Sequence, residues 1–182
     1  MSVTSEKRVG DIMKPIEEYA RVTANSTVKD AILVLKQSFC PDDSSQCRHR
    51  TILVSDDGGT PVGVLTFSTL IKTVEPRFMK VDQWAVPVFW EGLFTERCRE
   101  EAQKKVGDIM IPIRFISLDA EDSMIKAVHA MLKHKLGSLP VLKDNTVVGM
   151  VRVTEIFHEI SDMVADQPGI AESLPALKSV MS

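Results

Sequence analysis

The octapeptide Val9-Gly10-Asp11-Ile12-Met13-Lys14-Pro15-Ile16 returns later in the chain as Val106-Gly107-Asp108-Ile109-Met110-Ile111-Pro112-Ile113. The two segments are identical at seven of eight positions. Self-similarity over such a distance indicates a duplicated folding unit. We therefore read the chain as two copies of one structural repeat and compare the copies position by position.

Each copy continues with a predicted amphipathic helix. In copy one the apolar residues fall at i, i+3, i+4 and i+7, which is the spacing of one helix face, and copy two keeps that spacing after one residue is dropped. The stripes are Val28, Ala31, Ile32 and Leu35 in copy one, and Met124, Ala127, Val128 and Met131 in copy two. Polar residues that favour helix N-termini precede both stripes. The copies thus agree in helix position and in cap chemistry.

Two short apolar runs follow each helix. Residues 51–54 align with 138–141, and residues 62–65 with 148–151, each pair separated by Asp, Asn or Gly. Apolar runs around such a turn predict a β-hairpin. Both copies then enter a second predicted helix. The expected fold is α/β (α+β), built from two β-α-β-β-α repeats.

The predicted boundaries are repeat 1 at 9–74, a connector at 75–105, repeat 2 at 106–164 and a C-terminal tail at 165–182. Repeat 1 carries a loop insertion at 40–50 that repeat 2 lacks. The connector is rich in aromatic residues and predicts a helix near 91–104. Its charged residues are expected to form a solvated face of that helix, namely Arg97, Arg99, Glu100, Glu101, Lys104 and Lys105. Clustered aromatic side chains usually bury against another surface, which is either the chain's own repeats or a second subunit.

Composition excludes several function classes. Twenty-two basic and twenty-five acidic residues give a net charge of -3, which does not favour a general nucleic-acid surface. An odd cysteine count without an apolar leader predicts a reducing, cytoplasmic compartment. The most apolar run, 84–90, is too short to cross a bilayer, so no membrane insertion is expected.

The ordered set of motifs, occurring twice, resembles the cystathionine β-synthase (CBS) domain, and two copies in tandem resemble a Bateman module. The set comprises the Val-x-Asp-Ile-Met-x-Pro opening, the helix, the apolar-Pro-Val strand, the turn, and a Val-Gly strand that leads into a helix. The resemblance implies repeats related by pseudo-twofold symmetry, with clefts between the copies that hold adenosyl nucleotides. It also implies a regulatory role and a homodimer.

The resemblance further implies ligand residues where the last strand meets the last helix. The family places Thr or Ser three residues after the strand glycine, to meet phosphate, and Asp three residues further on, to meet ribose. Copy one has Thr66 and Thr69 at these positions, and copy two has Arg152 and Glu155. Arg152 can bind phosphate as a fork, so copy two is the first choice for a ligand. The alternatives are helix capping for the threonines and a solvated helix start for the ionic residues.

Apolar positions that flank the base in the family complete the candidate site. They suit a purine ring, but they suit a dry core equally well. In this chain they are Ile16, Ile52, Ile113, Ser138, Leu139 and Pro140. The strand glycines Gly63 and Gly149 either let a ligand approach or make room for a neighbouring backbone.

No nucleophile elbow, phosphate-binding Gly-rich loop or catalytic spacing is present in the sequence, so the chain is not expected to be an enzyme. No cofactor is required. The leading hypothesis is a sensor that binds AMP, ADP, ATP or S-adenosylmethionine and signals to a partner protein in trans. Two alternatives remain: an oligomerisation module with degenerate clefts, or a thiol or metal sensor that uses Cys40, Cys47 and His49 of the loop.

Overall fold

The computed structural model describes residues 6–38, 51–76 and 90–165. Repeat 1 consists of α1 (Val9–Ile12), β1 (Lys14–Pro15), β2 (Arg21–Thr23), α2 (Val28–Ser38), β3 (Thr51–Ser55), β4 (Pro61–Thr66) and α3 (Phe67–Val74). The connector contributes α4 (Leu93–Ala102). Repeat 2 consists of α5 (Val106–Ile109), β5 (Ile111–Pro112), β6 (Leu118–Asp119), α6 (Met124–His134), β7 (Ser138–Lys143), β8 (Thr146–Arg152) and α7 (Val153–Ala165). The predicted α/β fold with two like repeats is confirmed.

The strands form two four-stranded sheets with the same plan. One sheet has the order β1-β8-β7-β6 and the other β2-β3-β4-β5. In each sheet a short strand runs parallel to the first hairpin strand, and the hairpin itself is antiparallel. The register also agrees, because Val54 pairs with Gly63 in one hairpin and Val141 with Gly149 in the other. The predicted hairpins are therefore present in both copies.

The opening octapeptides are exchanged between the repeats. Strand β1 of repeat 1 pairs with β8 of repeat 2, and β5 of repeat 2 pairs with β4 of repeat 1. Correspondingly, the chain divides into unit 1, made of residues 1–15 and 117–182, and unit 2, made of residues 16–116. Each compact unit thus contains the hairpin of one repeat and the opening segment of the other.

Matching hydrogen bonds hold the exchanged segments in place. In unit 1 the amide of Gly10 donates to the carbonyl of Ala120 at 2.8 Å, and in unit 2 the amide of Gly107 donates to the carbonyl of Ala24 at 2.9 Å. The valines that begin the two octapeptides, Val9 and Val106, are fully buried. The octapeptide is therefore repeated because each copy makes the same docking contacts.

The strand glycines make room for these docked segments. A Cβ atom on Gly149 would lie 2.6 Å from the carbonyl oxygen of Lys14 and 2.9 Å from Sδ of Met13. A Cβ atom on Gly63 would overlap Sδ of Met110 and lie 3.2 Å from the carbonyl oxygen of Ile111. Of the two alternatives from the sequence, the approach of a neighbouring backbone is the one observed.

The predicted helix stripes supply the core. Val28, Ala31 and Leu35 of α2 are buried, whereas the fourth stripe residue, Ile32, is 44% exposed. In α6 the buried residues are Met124, Ala127 and Met131. The stripe is thus narrower than the apolar pattern predicts, and the excess apolar side chains lie at the surface.

The connector helix α4 contains a buried ionic cluster. Glu101 is 2% exposed and lies between Arg97, at 2.6 Å, and Lys104, at 2.7 Å. Arg97 also donates to the carbonyl of Thr73 at 3.0 Å, near the end of α3. We expected Arg97, Glu101 and Lys104 to lie on a solvated face, and for Glu101 that expectation was wrong. Two cations and the close packing of α4 against α3 compensate the burial of this carboxylate.

Several features predicted from the sequence lie outside the described residues. They are the loop insertion at 40–50 and the connector aromatic residues Phe78, Trp84 and Phe89, together with nearly all of the tail. Two other connector aromatic residues, Trp90 and Phe94, are described and are 64% and 73% exposed. Among the described helices, none is long and apolar enough to cross a bilayer.

Candidate functional site

In unit 1, the corner where β8 meets α7 contains the two predicted charged residues. Arg152 ends β8, and Glu155 lies in the first turn of α7. The Nε atom of Arg152 donates to Oε2 of Glu155 at 2.8 Å, and Nη2 donates to Oε1. Their side chains are only 18% and 12% exposed. The structure therefore brings the predicted phosphate and ribose residues into contact with each other.

The electrostatics of this corner keep the Glu155 carboxylate charged. Burial alone raises the pKa of Glu155, but the hydrogen bond and the charge of Arg152 outweigh it, and the pKa lies below the ordinary value. The hydroxyl of Thr154 donates a further hydrogen bond to Oε2 at 3.1 Å. A carboxylate at a helix N-terminus is also favoured by the helix dipole. The alternative of a solvated helix start does not describe this pair, because both side chains are largely buried.

In unit 2, the equivalent corner is neutral. Thr66 ends β4, and its Oγ1 accepts a hydrogen bond from the amide of Thr69 at 3.1 Å, which caps α3. The two hydroxyl oxygens lie 3.0 Å apart. The capping alternative from the sequence is thus observed. Thr51 pairs with Thr66 across the hairpin, so three hydroxyl residues lie at this corner.

Thr51 was not among the site residues predicted from the sequence. The alignment of the repeats could have identified it, because Thr51 aligns with Ser138, which pairs with Arg152 in the other hairpin. Each corner therefore has a hydroxyl residue on the first hairpin strand beside the residue that ends the second. The repeats agree in this position even where the last residue differs in charge.

The predicted base-flanking residues are all buried. Ile52 and Leu139 are fully inaccessible, and Ile16, Ile113 and Ser138 are each 6% exposed. Pro140 is also buried. Ile52 packs in a core cluster with Leu65 and Val106. For Ile52, therefore, the contacts are those of a dry core.

The register decides which of these residues share a corner. Leu139 and Pro140 follow Ser138 directly on β7, and Ile52 follows Thr51 on β3, so these three lie beside their corners. Ile113 follows Pro112, which pairs with Gly63, three residues before Thr66. Three strand residues span about 10 Å, so Ile113 does not lie beside Thr66. Ile16 belongs to unit 2, outside the unit that contains Arg152.

A cation–aromatic pair next to Ile113 was also missed. The guanidinium of Arg114 lies 4.7 Å from the ring centroid of Phe115, whose side chain is 60% exposed. The aligned residues in repeat 1 are Glu17 and Glu18, so the copies differ here in charge. That difference was the available signal. The pair offers a flat apolar surface with a positive charge at one end of unit 2's sheet.

Metal ligation finds no support among the described residues. Within ranges 6–38, 51–76 and 90–165, no group of three or more His, Cys, Asp or Glu side chains is placed to hold an ion. Cys98 is a free thiol of intermediate exposure. Cys40, Cys47 and His49, the candidate thiol or metal residues, lie outside the described residues.

Comparison with known families identifies both repeats. The model of the CBS domain matches residues 9–75 and 106–162, which together cover most of the chain. The matched segments correspond to the two predicted repeats and exclude the connector. No significant match was found among functionally curated proteins.

Solved structures share the fold at low sequence identity. The CBS-pair protein CBSX2 from Arabidopsis thaliana is 20% identical, with a TM-score of 0.63, and the match covers 90% of this chain and 100% of that one. A structure of CBSX2 in complex with AMP gives a TM-score of 0.59 at 20% identity, covering 86% of this chain and 98% of that one. A CBS domain-containing protein from Bacillus anthracis gives 0.60 at 19% identity, covering 85% and 93%. These likenesses establish the fold of a CBS pair.

Proposed function

This chain belongs to the CBS domain family, and from that premise we propose that it is a regulatory module. We propose further that it binds an adenosyl ligand and signals to a partner protein. The candidate ligands are AMP, ADP, ATP and S-adenosylmethionine. One observation carries the proposal: the strand-to-helix corner is built twice, with paired polar residues at the same two positions. The structure of CBSX2 with AMP supports this ligand class.

The chemistry of the unit 2 corner suits phosphate. Thr66 and Thr69 place two hydroxyl groups at the N-terminus of α3, where backbone amides and the helix dipole favour an anion. Each hydroxyl can donate its one hydrogen to a phosphate oxygen, and Oγ1 of Thr66 can still accept from the amide of Thr69 when it does so. When both hydroxyl groups donate to a phosphate, the hydrogen bond between them is lost and the cap on α3 is kept.

The chemistry of the unit 1 corner is ionic. Arg152 offers a planar set of donors that match a phosphate, and Glu155 offers acceptors that match ribose hydroxyl groups. In the structure these two side chains bind each other. A phosphate that binds the same edge of Arg152 therefore has to displace Glu155.

Signalling requires that the corner be connected to a surface that a partner can read. In unit 2, helix α3 begins at the Thr66 corner and ends beside Arg97, which donates to the carbonyls of Thr73 and Val74 at 3.0 and 3.5 Å. The carbonyl of Lys104, just after α4, accepts from the amide of Val28 at 2.8 Å. We propose that a ligand at the corner shifts the position of α3 and, through Arg97, that of the connector helix.

Titration calorimetry on the full chain tests the ligand proposal. We expect binding of at least one of AMP, ADP, ATP and S-adenosylmethionine, and we expect Thr66→Val to weaken it. Thr60→Val is a matched control, because Thr60 is an exposed residue of the β3–β4 turn. If none of the four compounds binds to the wild-type chain, the proposal is wrong.

A second candidate function, an oligomerisation module, is favoured by exposed apolar side chains on α6 and α7. Ile125 and Leu132 of α6 are 71% and 74% exposed, and Phe157 and Ile160 of α7 are 64% and 50% exposed. In repeat 1, lysines stand at the positions of the two α6 residues, namely Lys29 and Lys36. The family resemblance implies a homodimer for the main proposal as well, so the discriminating result is a dimer that forms without binding any adenosyl ligand. Sedimentation velocity of wild type and Ile125→Lys/Leu132→Lys measures it, and an unchanged profile would argue against this face.

A further inference from the structure

The Arg152–Glu155 contact occupies one edge of the guanidinium. Two of its nitrogen atoms, Nε and Nη2, donate to the two carboxylate oxygens of Glu155. This fork is the geometry in which arginine binds the oxygens of a phosphate. The carboxylate of Glu155 therefore holds the position on Arg152 that a phosphate would take on the same edge.

The other repeat shows that this contact replaces a neutral one. Thr66 and Thr69 stand at the aligned positions and also bind each other, but through hydroxyl groups. When these hydroxyl groups turn their hydrogens to a phosphate, they lose only the neutral hydrogen bond between them, and Thr66 still accepts from the amide of Thr69. The side chains of Arg152 and Glu155 are 18% and 12% exposed, so separating them breaks a charge-assisted hydrogen bond that is largely shielded from water. The same displacement therefore costs more free energy in unit 1 than in unit 2.

We propose that Glu155 is a built-in competitor for phosphate at the unit 1 corner. On the edge formed by Nε and Nη2, a nucleotide phosphate binds Arg152 only after the Glu155 carboxylate leaves that edge. The two corners consequently differ in affinity, and unit 2 binds the phosphate of AMP at lower concentration than unit 1. This inference rests on the proposed function and deepens it by naming the residue that sets the difference between the two sites.

The test is calorimetric titration of the full chain with AMP, for wild type, Glu155→Gln, Arg152→Gln and the double variant. Glutamine keeps the shape of Glu155 but removes the charge that competes for Arg152. We expect the weaker AMP-binding step to tighten about tenfold in Glu155→Gln, which corresponds to about 1.4 kcal/mol. In the double variant the gain disappears, because Arg152 is the group that the phosphate reaches.

A matched control separates competition from a general change in charge. Glu159 lies one turn further along α7 and pairs with Lys7 at 2.7 Å, so Glu159→Gln removes one negative charge from the same helix away from the corner. We expect this variant to bind AMP within about twofold of wild type, because the charge is removed away from the corner and its partner Lys7 is 53% exposed, which makes the pair weak. An equal gain in Glu159→Gln would overturn the proposal.

The other outcomes are also decisive. If wild type binds AMP and Glu155→Gln leaves the weaker step unchanged or abolishes it, Glu155 is a ligand residue or a cap, and only this inference fails. If neither the wild type nor any variant binds AMP, this inference fails together with the proposed binding of AMP. The absence of binding by the wild type shows that the failure lies in the proposed function and not in the role of Glu155 alone. Should Glu155→Gln fold poorly, Arg152→Thr/Glu155→Thr rebuilds the corner of unit 2, and we expect it to bind AMP with that corner's affinity. Absence of binding at the rebuilt corner would contradict the inference.

Discussion

Gly149 has no room for a side chain, because the docked strand β1 lies directly against it. An added Cβ atom would lie 2.6 Å from the carbonyl oxygen of Lys14, whereas ordinary contact begins at 3.4 Å. In Gly149→Ala, strand β1 must therefore retreat by about 0.8 Å, the difference between these two distances. Such a shift strains or breaks the pairing of Lys14 and Pro15 with β8.

The expected cost follows from that displacement. Overpacking of a well-packed site costs about 1–3 kcal/mol, and each weakened hydrogen bond adds about 1 kcal/mol. We therefore expect Gly149→Ala to lower the free energy of unfolding by about 2–4 kcal/mol. Urea denaturation followed by circular dichroism measures it. Hydrogen exchange at the amide of Gly10, which donates to Ala120, reports whether the opening segment detaches.

Two further glycines calibrate the result. Gly137→Ala places its Cβ atom in open space, with nothing within 4 Å, so we expect a change below about 0.5 kcal/mol. At Gly63 the sharpest obstacle is the flexible side chain of Met110, and the nearest backbone atom is 3.2 Å away. Gly63→Ala should thus cost less than Gly149→Ala, and Met110→Ala should partly rescue it. If Gly149→Ala is as stable as Gly137→Ala, the docking of β1 on β8 is not as described.

Three further predictions concern buried polar groups. Arg97→Met removes one of the two cations beside buried Glu101, and we expect it to lower the free energy of unfolding by about 2–3 kcal/mol, measured by thermal denaturation. The double variant Arg97→Met/Glu101→Gln should recover part of this loss. Equal stability of wild type and the single variant would contradict the prediction. Ser55 is buried, and its hydroxyl has no hydrogen-bond partner among the described residues. The aligned residue in repeat 2 is the apolar Leu142. Ser55→Ala should therefore be neutral or stabilise the fold by up to about 1 kcal/mol, and a clear loss of stability would reveal a partner. Because the pKa of Glu155 is lowered in the folded state, its contribution is present above the ordinary value of 4.5 and disappears as the pH falls through the folded pKa. Melting temperatures measured from pH 7 down to pH 3 should therefore fall more steeply for wild type than for Glu155→Gln, and parallel curves would exclude this role.

The repeats and most of their elements could be predicted from the sequence, because local periodicity determines them. The stripe of Val28, Ala31 and Leu35 has helical spacing, and the apolar runs on either side of Asp56 form a hairpin whatever else surrounds them. Local pattern carries no information about which repeat receives an opening octapeptide. The exchange is decided by contacts such as Gly10 with Ala120, far apart in the chain.

The candidate site divides in the same way. Alignment of the repeats placed Arg152 and Thr66 at equivalent positions, and in the structure each of them ends the second hairpin strand. It could not show that Arg152 and Glu155 bind each other, because an i, i+3 spacing suits a solvated pair equally well. Likewise Glu101 lies in a charged run that is typical of an exposed helix face. Its burial depends on how α4 packs against α3, which residue types alone do not fix.

The exchange of opening segments gives the unit 2 corner a direct connection to repeat 2. Strand β4, which ends at Thr66, is hydrogen-bonded to β5 on its other edge, and β5 belongs to repeat 2 in sequence. If the proposed ligand draws Thr66 toward it, the pull acts on a strand whose hydrogen-bonded neighbour, β5, leads into Ser117 and the rest of repeat 2. The hydrogen bonds between β4 and β5, followed by the chain beyond β5, therefore connect the Thr66 corner to repeat 2.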